Sequence, residues 1–132
     1  MRTSAKTNQN PIVITRGIYD LLKTFINSNK LSKYNEDKLD EELKLAKQVL
    51  RKDIPAQVVD LDKKVRVKEL ESGIEFEYHF VRPQKARKKH NTISILSPIG
   101  VALLGYKEGE KLSWEMPEGI KSYQVLSVNP VA

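Results

Sequence analysis

Residues 93–105 read ISILSPIGVALLG, and this stretch contains the clearest local structure signals in the 132-residue chain. Ile93 and Ile95 flank a serine, as in a short strand with one buried face. Ser97 followed by Pro98 is typical of a helix start, because serine accepts from free N–H groups and proline fits the first turn. Gly105 stands where glycine commonly ends a helix. The stretch therefore predicts one short strand followed by one short helix.

The sequence on both sides of this stretch alternates between apolar and polar residues, which predicts further strands. The apolar positions of these predicted strands are Val65 and Val67; Ile74, Phe76, Tyr78 and Phe80; and Leu112, Trp114 and Met116. Ser72-Gly73 and Pro117-Glu118-Gly119 predict tight turns. The apolar phase of the last run changes near Val125, which predicts a β-bulge. We therefore predict an antiparallel sheet of about four or five strands with one short helix across it.

The first part of the chain instead repeats its apolar residues at helical spacing. The predicted helical faces consist of Ile14, Ile18, Leu21 and Phe25 in a first helix, and of Leu39, Leu43, Ala46 and Leu50 in a second. Thr15 is the expected N-cap of the first helix, and the second is expected to begin near Asn35 and to end before Pro55. We predict an α+β chain with a flexible tail over residues 1–10, a short antiparallel helical hairpin or coiled coil over 11–54, and a sheet domain over 55–132.

The composition excludes several classes of protein. The chain has no cysteine, which excludes disulfides, thiol catalysis and cysteine-ligated metals. No apolar run reaches the roughly 20 residues that span a bilayer, so no membrane association is expected. The net charge of +6 favours nucleic acid or an acidic protein surface as a partner. A cysteine-free chain is compatible with a reducing compartment, and we expect a cytoplasmic protein.

Residues 93–105 resemble the strand-and-helix signature of the Gre transcript-cleavage factors and their relative Rnk. The continuation over residues 107–119, KEGEKLSWEMPEG, resembles the turn, strand and Pro-Gly hairpin of the same family, and the likeness extends over residues 56–128. Gly100 and the run WEMP over residues 114–117 are most similar to the Rnk branch. The resemblance implies an FK506-binding-protein-like (FKBP-like) fold, in which a curved antiparallel sheet packs on a short helix.

The resemblance also implies a function in transcription. Factors of the Gre family dock their globular domain on the rim of the secondary channel of RNA polymerase, and loops near the short helix take part. Carried over to this chain, the expected polymerase contacts lie around Ser97, Pro98, Gly100 and Lys107. We therefore predict an RNA-polymerase-binding regulator of transcription elongation that acts as a monomer and uses no cofactor.

The tip of the predicted hairpin decides whether transcript cleavage is expected. Gre factors carry carboxylates there that help to hold a second catalytic metal, which is the two-metal chemistry of phosphoryl transfer. The acids near this tip are Glu36, Asp37 and Asp40, and carboxylates also stabilise a helix start for purely structural reasons. The first helix would extend only about 20 Å, which is shorter than the Gre hairpin. We predict a regulator without catalytic residues; the alternative is a shortened cleavage factor that uses these three acids.

The densest positive run lies between two predicted strands. Its basic residues are Arg82, Lys85, Arg87, Lys88 and Lys89. Such a run is typical of sequence-independent contact with the phosphates of RNA or a nucleotide, which makes a nucleic-acid or nucleotide-binding module a further alternative. Pro83 and the lack of interleaved aromatic residues favour a solvated loop instead. His79 and His90 are not spaced as a metal-binding pair, so no metal site is predicted.

Overall fold

The structure, a computed structural model, describes residues 11–87 and 92–131. The predicted tail over residues 1–10, together with Lys88, Lys89 and His90 of the basic run, lies outside the described residues. The elements in chain order are β1 (Val13–Thr15), α1 (Arg16–Asn27), α2 (Lys33–Leu45), β2 (Lys47–Val49), β3 (Lys63–Glu69), β4 (Glu75–Val81), β5 (Thr92–Ser94), α3 (Pro98–Leu103), β6 (Lys111–Met116) and β7 (Gly119–Pro130), with short 3-10 turns at Arg51–Asp53 and Pro83–Lys85. The prediction of a protein that mixes helices with a sheet is confirmed.

Five strands form the main sheet, in the order β5-β4-β3-β7-β6. The register of β3 against β7 shifts between Arg66 and Val67, which leaves Leu126 without a partner and confirms the predicted bulge. The expectation of a wholly antiparallel sheet is wrong at one edge, because β4 and β5 run parallel and pair His79 with Thr92. The ten residues between β4 and β5 allow β5 to begin beside His79 and run in the same direction as the last three residues of β4, whereas an antiparallel pair would need only a tight turn.

The short helix α3 is enclosed by the core. Ser97 is its N-cap and Pro98 its first residue, as predicted, and all five residues from 99 to 103 are buried. Two large aromatic side chains of the sheet, Trp114 and Tyr123, are 1% and 5% exposed. The stretch that the sequence singles out therefore lies at the centre of the sheet domain.

The chain before the sheet domain contains a strand pair that the sequence did not predict, since β1 and β2 pair in parallel. As a result α2 ends at Leu45 instead of near Leu50, and Leu50 is 64% exposed. Ile14, predicted on the first helical face, lies in β1 instead. The physical reason is that the backbone of this buried segment needs hydrogen-bond partners, and the N–H of Lys47 donates to the carbonyl of Ile12 at 2.8 Å.

The helices α1 and α2 contact each other and turn their apolar faces to the common core. The fully buried positions are Ile18, Leu22 and Ile26 on α1, and Leu39 and Leu43 on α2. Leu21 and Phe25, predicted on the same face, are only partly buried. Thr15 is the N-cap of α1 as predicted, and its hydroxyl accepts from the N–H of Ile18 at 3.2 Å. Within the described residues, none of these helices is long and apolar enough to cross a membrane.

Gly105 connects the helical part to the sheet domain. Its φ is +87°, and an added Cβ would lie 2.7 Å from the Cβ of Ile12. Its carbonyl accepts from the N–H of Val13 and its own N–H donates to the carbonyl of Val59, each at 3.1 Å. The glycine that ends α3 thus leaves room for the segment that leads into α1.

Candidate functional site

The three acids near the tip lie on the first turns of α2, and two of them are paired within the helix. Asp37 lies 3.1 Å from Lys33, and Asp40 lies 3.6 Å from Lys44. The hydrogen bond and the charge of Asp37 raise the pKa of Lys33. Glu36 occupies the first turn, where a carboxylate favours helix formation. Among the described residues no group of three acidic or histidine side chains is placed to hold a metal ion.

The opposite face of α2 is attached to the sheet through a polar side chain. Asn35 is 5% exposed, and its amide pairs with the backbone of Glu115. Its Nδ2 donates to the Glu115 carbonyl and its Oδ1 accepts from the Glu115 N–H, each at 2.8 Å. Because β6 is an edge strand, this amide satisfies backbone groups that a neighbouring strand would otherwise satisfy. The tip end of α2 is thereby fixed against the sheet.

Lys38 is 9% exposed and sits between α2 and the sheet domain. Its Nζ lies 2.6 Å from Oε2 of Glu42 and 2.8 Å from the hydroxyl of Tyr106. The same Nζ is 5.2 Å from the ring centroid of Tyr106 and 5.8 Å from that of Trp114. The Tyr106 hydroxyl donates to Glu42 as well. Burial, and then the negative charge of Glu42, raises the pKa of Tyr106, so that its hydroxyl keeps the proton it donates.

Sequence reasoning missed this buried polar contact, although a signal was present. Residues 35, 38, 39, 42 and 43 share one face of a helix, because their spacings are three and four. Only Leu39 and Leu43 are apolar, so the pattern indicates a narrow apolar stripe. A lysine four residues before a glutamate has the spacing of an ordinary surface ion pair. Only the three-dimensional structure distinguishes an ordinary surface ion pair from the buried contact between Lys38 and Glu42.

The four expected polymerase contacts do not form one continuous surface. Pro98 is exposed and Ser97 is half-buried at the start of α3. Gly100 is buried, and an added Cβ would lie 2.6 Å from the carbonyl oxygen of Ile95, so this residue shapes the packing beneath the surface. Lys107 is half-buried and lines a different depression from Pro98.

A groove of about 430 Å³ joins the tip to the start of α3, and we call it the tip groove. It is lined by Phe25, Lys30, Leu31, Ser32, Asn35, Leu96, Pro98, Trp114, Glu115, Met116 and Pro117. Most of these side chains are apolar, and Asn35 contributes through the contact that fixes α2 to β6. The groove therefore presents the helical tip and α3 on one surface, which the sequence alone had placed in separate regions.

The basic run follows β4 on an exposed loop. Arg82, Lys85 and Arg87 are all exposed. Arg87 makes local contacts, since its N–H donates to Oγ1 of Thr92 at 2.7 Å and its Nη1 donates to the carbonyl of Ala86 at 2.9 Å. These three cations contact solvent, while Lys88 and Lys89 lie beyond what the structure describes.

Comparison with known proteins places this arrangement in a family. Residues 54–130 match the family described as "Transcription elongation factor, GreA/GreB, C-term". The chain is similar to "Transcription elongation factor GreA" of Clostridium botulinum, with 36% identity over 91 residues that cover 69% of this chain and 57% of that protein. It is also similar to "Regulator of nucleoside diphosphate kinase" of Escherichia coli, with 30% identity over 87 residues that cover 66% of this chain and 64% of that protein. The chain thus matches less than two thirds of the length of either relative.

A solved structure of similar fold extends the likeness to the helical part. It is "Prokaryotic transcription elongation factor GreA/GreB from Nitrosomonas europaea", with a TM-score of 0.65 and 29% identity, and the match covers 92% of this chain and 99% of that one. The resemblance first suggested by residues 93–105 is thereby confirmed. The chain belongs to the GreA/GreB family of transcription elongation factors, which also relates it to Rnk.

Proposed function

We propose that this protein binds RNA polymerase at the rim of the secondary channel and regulates transcription elongation without stimulating transcript cleavage. The observation that carries the proposal is the pairing of the tip acids Asp37 and Asp40 with lysines of their own helix. The proposal includes a monomer in the cytoplasm, an FKBP-like sheet domain, and the use of α1 and α2 as an antiparallel hairpin.

The pairing of the tip acids bears on the chemistry of transcript cleavage. A second catalytic metal needs carboxylate oxygens that converge on the ion and are free to coordinate it. Asp37 and Asp40 each lie within 4 Å of a lysine of the same helix. A divalent ion at Asp37 or Asp40 would compete with their lysine partners.

The length of the helices supports the same conclusion. The helix α1 has 12 residues and α2 has 13. At about 1.5 Å per residue, each spans roughly 20 Å. Part of α2 is also held against β6 through Asn35, so it does not extend freely away from the sheet domain. A projection of this length favours occupation of the channel entrance over contact with a distant catalytic centre.

The tip groove supplies the proposed docking surface. It presents Pro98 beside the apolar side chains of Leu31 and Met116. An apolar surface with a few polar groups at its edge suits a specific protein contact. Ser97 and Pro98 therefore remain proposed contacts, Gly100 supports them from below, and Lys107 would contact the polymerase only at the periphery.

The test combines binding and cleavage with bacterial core RNA polymerase. We expect the full chain to bind at micromolar concentration, to compete with GreA, and to release no short RNA from a backtracked complex that GreA does cleave. Pro98→Glu should weaken binding, because it places a charge in the groove while a carboxylate at the helix start leaves α3 stable. Thr24→Glu, on the exposed face of α1, is the matched control. No detectable binding of the unaltered chain would refute the proposal.

The same assay decides the alternatives. A shortened cleavage factor would release short RNA, and alanine at Glu36, Asp37 and Asp40 would abolish that release. A nucleic-acid-binding module would instead bind RNA in a salt-dependent manner through the exposed cations of the basic loop. In that case neutralising Arg87, Lys88 and Lys89 would remove RNA binding and leave polymerase binding unchanged.

A further inference from the structure

A second groove, separate from the tip groove, opens between the start of α1, the end of β2 and the loop after β4. Its volume is about 520 Å³. Arg16, Arg51 and Arg82 line it, and we call it the arginine groove. None of its lining residues lines the tip groove. It is therefore a distinct feature that the proposed docking through α3 does not use.

Among the described residues, the charged side chains that line the arginine groove are all positive. Within the described part of the chain, no acidic residue lines it. Two acids pair with these arginines from outside the lining, since Asp20 lies 3.7 Å from Arg16 and Asp60 lies 3.8 Å from Arg51. The Arg16–Asp20 pair is exposed and is therefore weakened by water. The guanidinium of Arg16 is on the rim of the groove, with 82% of its side chain exposed. The exposed side chains of Arg16 and Arg82 can therefore contact carboxylates of another molecule.

The start of α1 adds to the same positive field. Arg16 is the first residue of α1, and no acidic residue lies in that first turn. A cation at this end opposes the helix dipole, whose positive pole is the N-terminus. The chain thus places a destabilising charge where an anion would be favoured. An external carboxylate in the groove would offset this repulsion.

The interior of the groove is apolar. Ile18 and Ile95 are buried beneath it, Leu21 is half-buried, and Leu50 is 64% exposed. The exposed Leu50 lies in a groove lined by three arginines. This surface is complementary to a polypeptide segment that carries an apolar side chain between carboxylates. A nucleic-acid backbone would leave the apolar interior uncovered. Among residues 11–87 and 92–131, no aromatic side chain on which a base could stack lines the groove.

We propose that the arginine groove docks an acidic segment of a partner protein, with a leucine-like side chain of that segment on Leu50 and its carboxylates on Arg16, Arg51 and Arg82. The inference rests on the proposed function in naming the partner, which is RNA polymerase. The groove then provides a second contact with the polymerase, placed at the base of the helical part and apart from the tip groove.

The experiment uses the full chain and two probes, bacterial core RNA polymerase and a synthetic peptide of glutamate and leucine in helical spacing. The groove variant is Arg16→Gln/Arg82→Gln, which preserves the Arg51–Asp60 pair. The matched control is Lys23→Gln/Lys64→Gln, which removes the same charge from exposed positions outside the groove. Leu50→Ser tests the apolar interior separately. All five substituted residues are exposed, and thermal melting confirms that each variant folds.

We expect the groove variant to raise Kd for both probes by about tenfold or more, Leu50→Ser to raise it by about threefold to tenfold, and the control to change it by less than about twofold. The same peptide with lysine in place of glutamate should not bind. Equal affinities of the groove variant and the control for both probes would overturn the inference. So would a loss confined to a short single-stranded RNA, which would assign the groove to nucleic acid.

The two proposals fail in different ways. If the unaltered chain binds the acidic peptide through Arg16 and Arg82 but does not bind polymerase, the groove is supported and the proposed function is refuted. If the chain binds polymerase while neither probe distinguishes the groove variant from the control, the proposed function stands and the groove is refuted.

Discussion

The helices α2 and α3 begin alike but are held by opposite means. Each has a serine N-cap, Ser32 or Ser97, whose hydroxyl accepts from the backbone N–H three residues on. Beyond the cap, α3 buries five consecutive residues and fits because Gly100 lacks a side chain. The helix α2 instead buries Asn35 and Lys38 beside its leucines.

This difference shows two ways of attaching a helix to the same sheet. The packing of α3 requires that Gly100 carry no side chain, so an added methyl group at this position should be destabilising. The packing of α2 requires the polar partners of Asn35 and Lys38, so removing one of these polar groups should be destabilising. Substitutions that add or delete single groups therefore test each attachment separately.

The largest loss is expected from Lys38→Met. The substitution removes the cation that Glu42 and Tyr106 surround and leaves the Glu42 carboxylate half of a buried pair. Removing one partner of a buried pair typically costs about 3 kcal/mol or more, and we expect that loss in the free energy of unfolding measured with urea. The triple variant Lys38→Met/Glu42→Leu/Tyr106→Phe should recover most of it, because no polar group is left unpaired. A loss below about 1 kcal/mol for Lys38→Met would show that the cation is not needed.

Gly100→Ala should cost about 1–3 kcal/mol in the same measurement. The added Cβ would lie 2.6 Å from the carbonyl oxygen of Ile95 and 2.8 Å from that of Ser94, and both are backbone atoms that cannot rotate away. Gly17→Ala in α1 is the matched control, since its Cβ would meet nothing closer than 3.9 Å. The control should gain about 0.5–1 kcal/mol, because alanine favours a helix. Equal effects of the two substitutions would contradict steric exclusion at α3.

The contrast between the two helices also explains which parts of the fold were predictable. The motif at residues 97–105 combines a cap, a helix-start proline and a closing glycine, and each has a local conformational reason. The bulge near Val125 was predictable because the sheet has a fixed period of two. These features follow from neighbours along the chain, and the structure has them where the sequence places them.

What depends on distant residues was not predictable. The end of α2 at Leu45 follows from the pairing of β2 with β1, which lie more than 30 residues apart in the chain. The parallel position of β5 likewise depends on how residues 82–91 return to β4. In the candidate site, the tip acids were located by sequence, but the arginine groove was not. Its three arginines come from separate segments that meet only in the folded chain.

Asn35→Ala should have a smaller effect, about 1–2 kcal/mol, because it deletes two hydrogen bonds at a partly exposed sheet edge. The local measurement is hydrogen exchange at the backbone amide of Glu115, which should become faster as its acceptor disappears. Asn27→Ala, at the exposed end of α1, is the control and should leave that amide unchanged. Unchanged protection of Glu115 in the Asn35 variant would show that the edge of β6 is protected by other means.

Asp37→Asn should have the smallest effect. The Asp37 side chain is 61% exposed, and its pairing with Lys33 is screened by water, so the melting temperature should stay within error of the unaltered protein. Because Asp37 raises the pKa of Lys33, the lysine pKa should fall toward its ordinary value, which nuclear magnetic resonance can follow.

Glu42→Gln removes the same charge from the buried face of the same helix and should lower the melting temperature, since Lys38 then lies buried without its carboxylate. If neither substitution lowered the melting temperature, the polar face of α2 would not be what attaches this helix to the sheet. If both lowered it equally, Asp37 would have a structural role that its pairing with an exposed lysine does not explain.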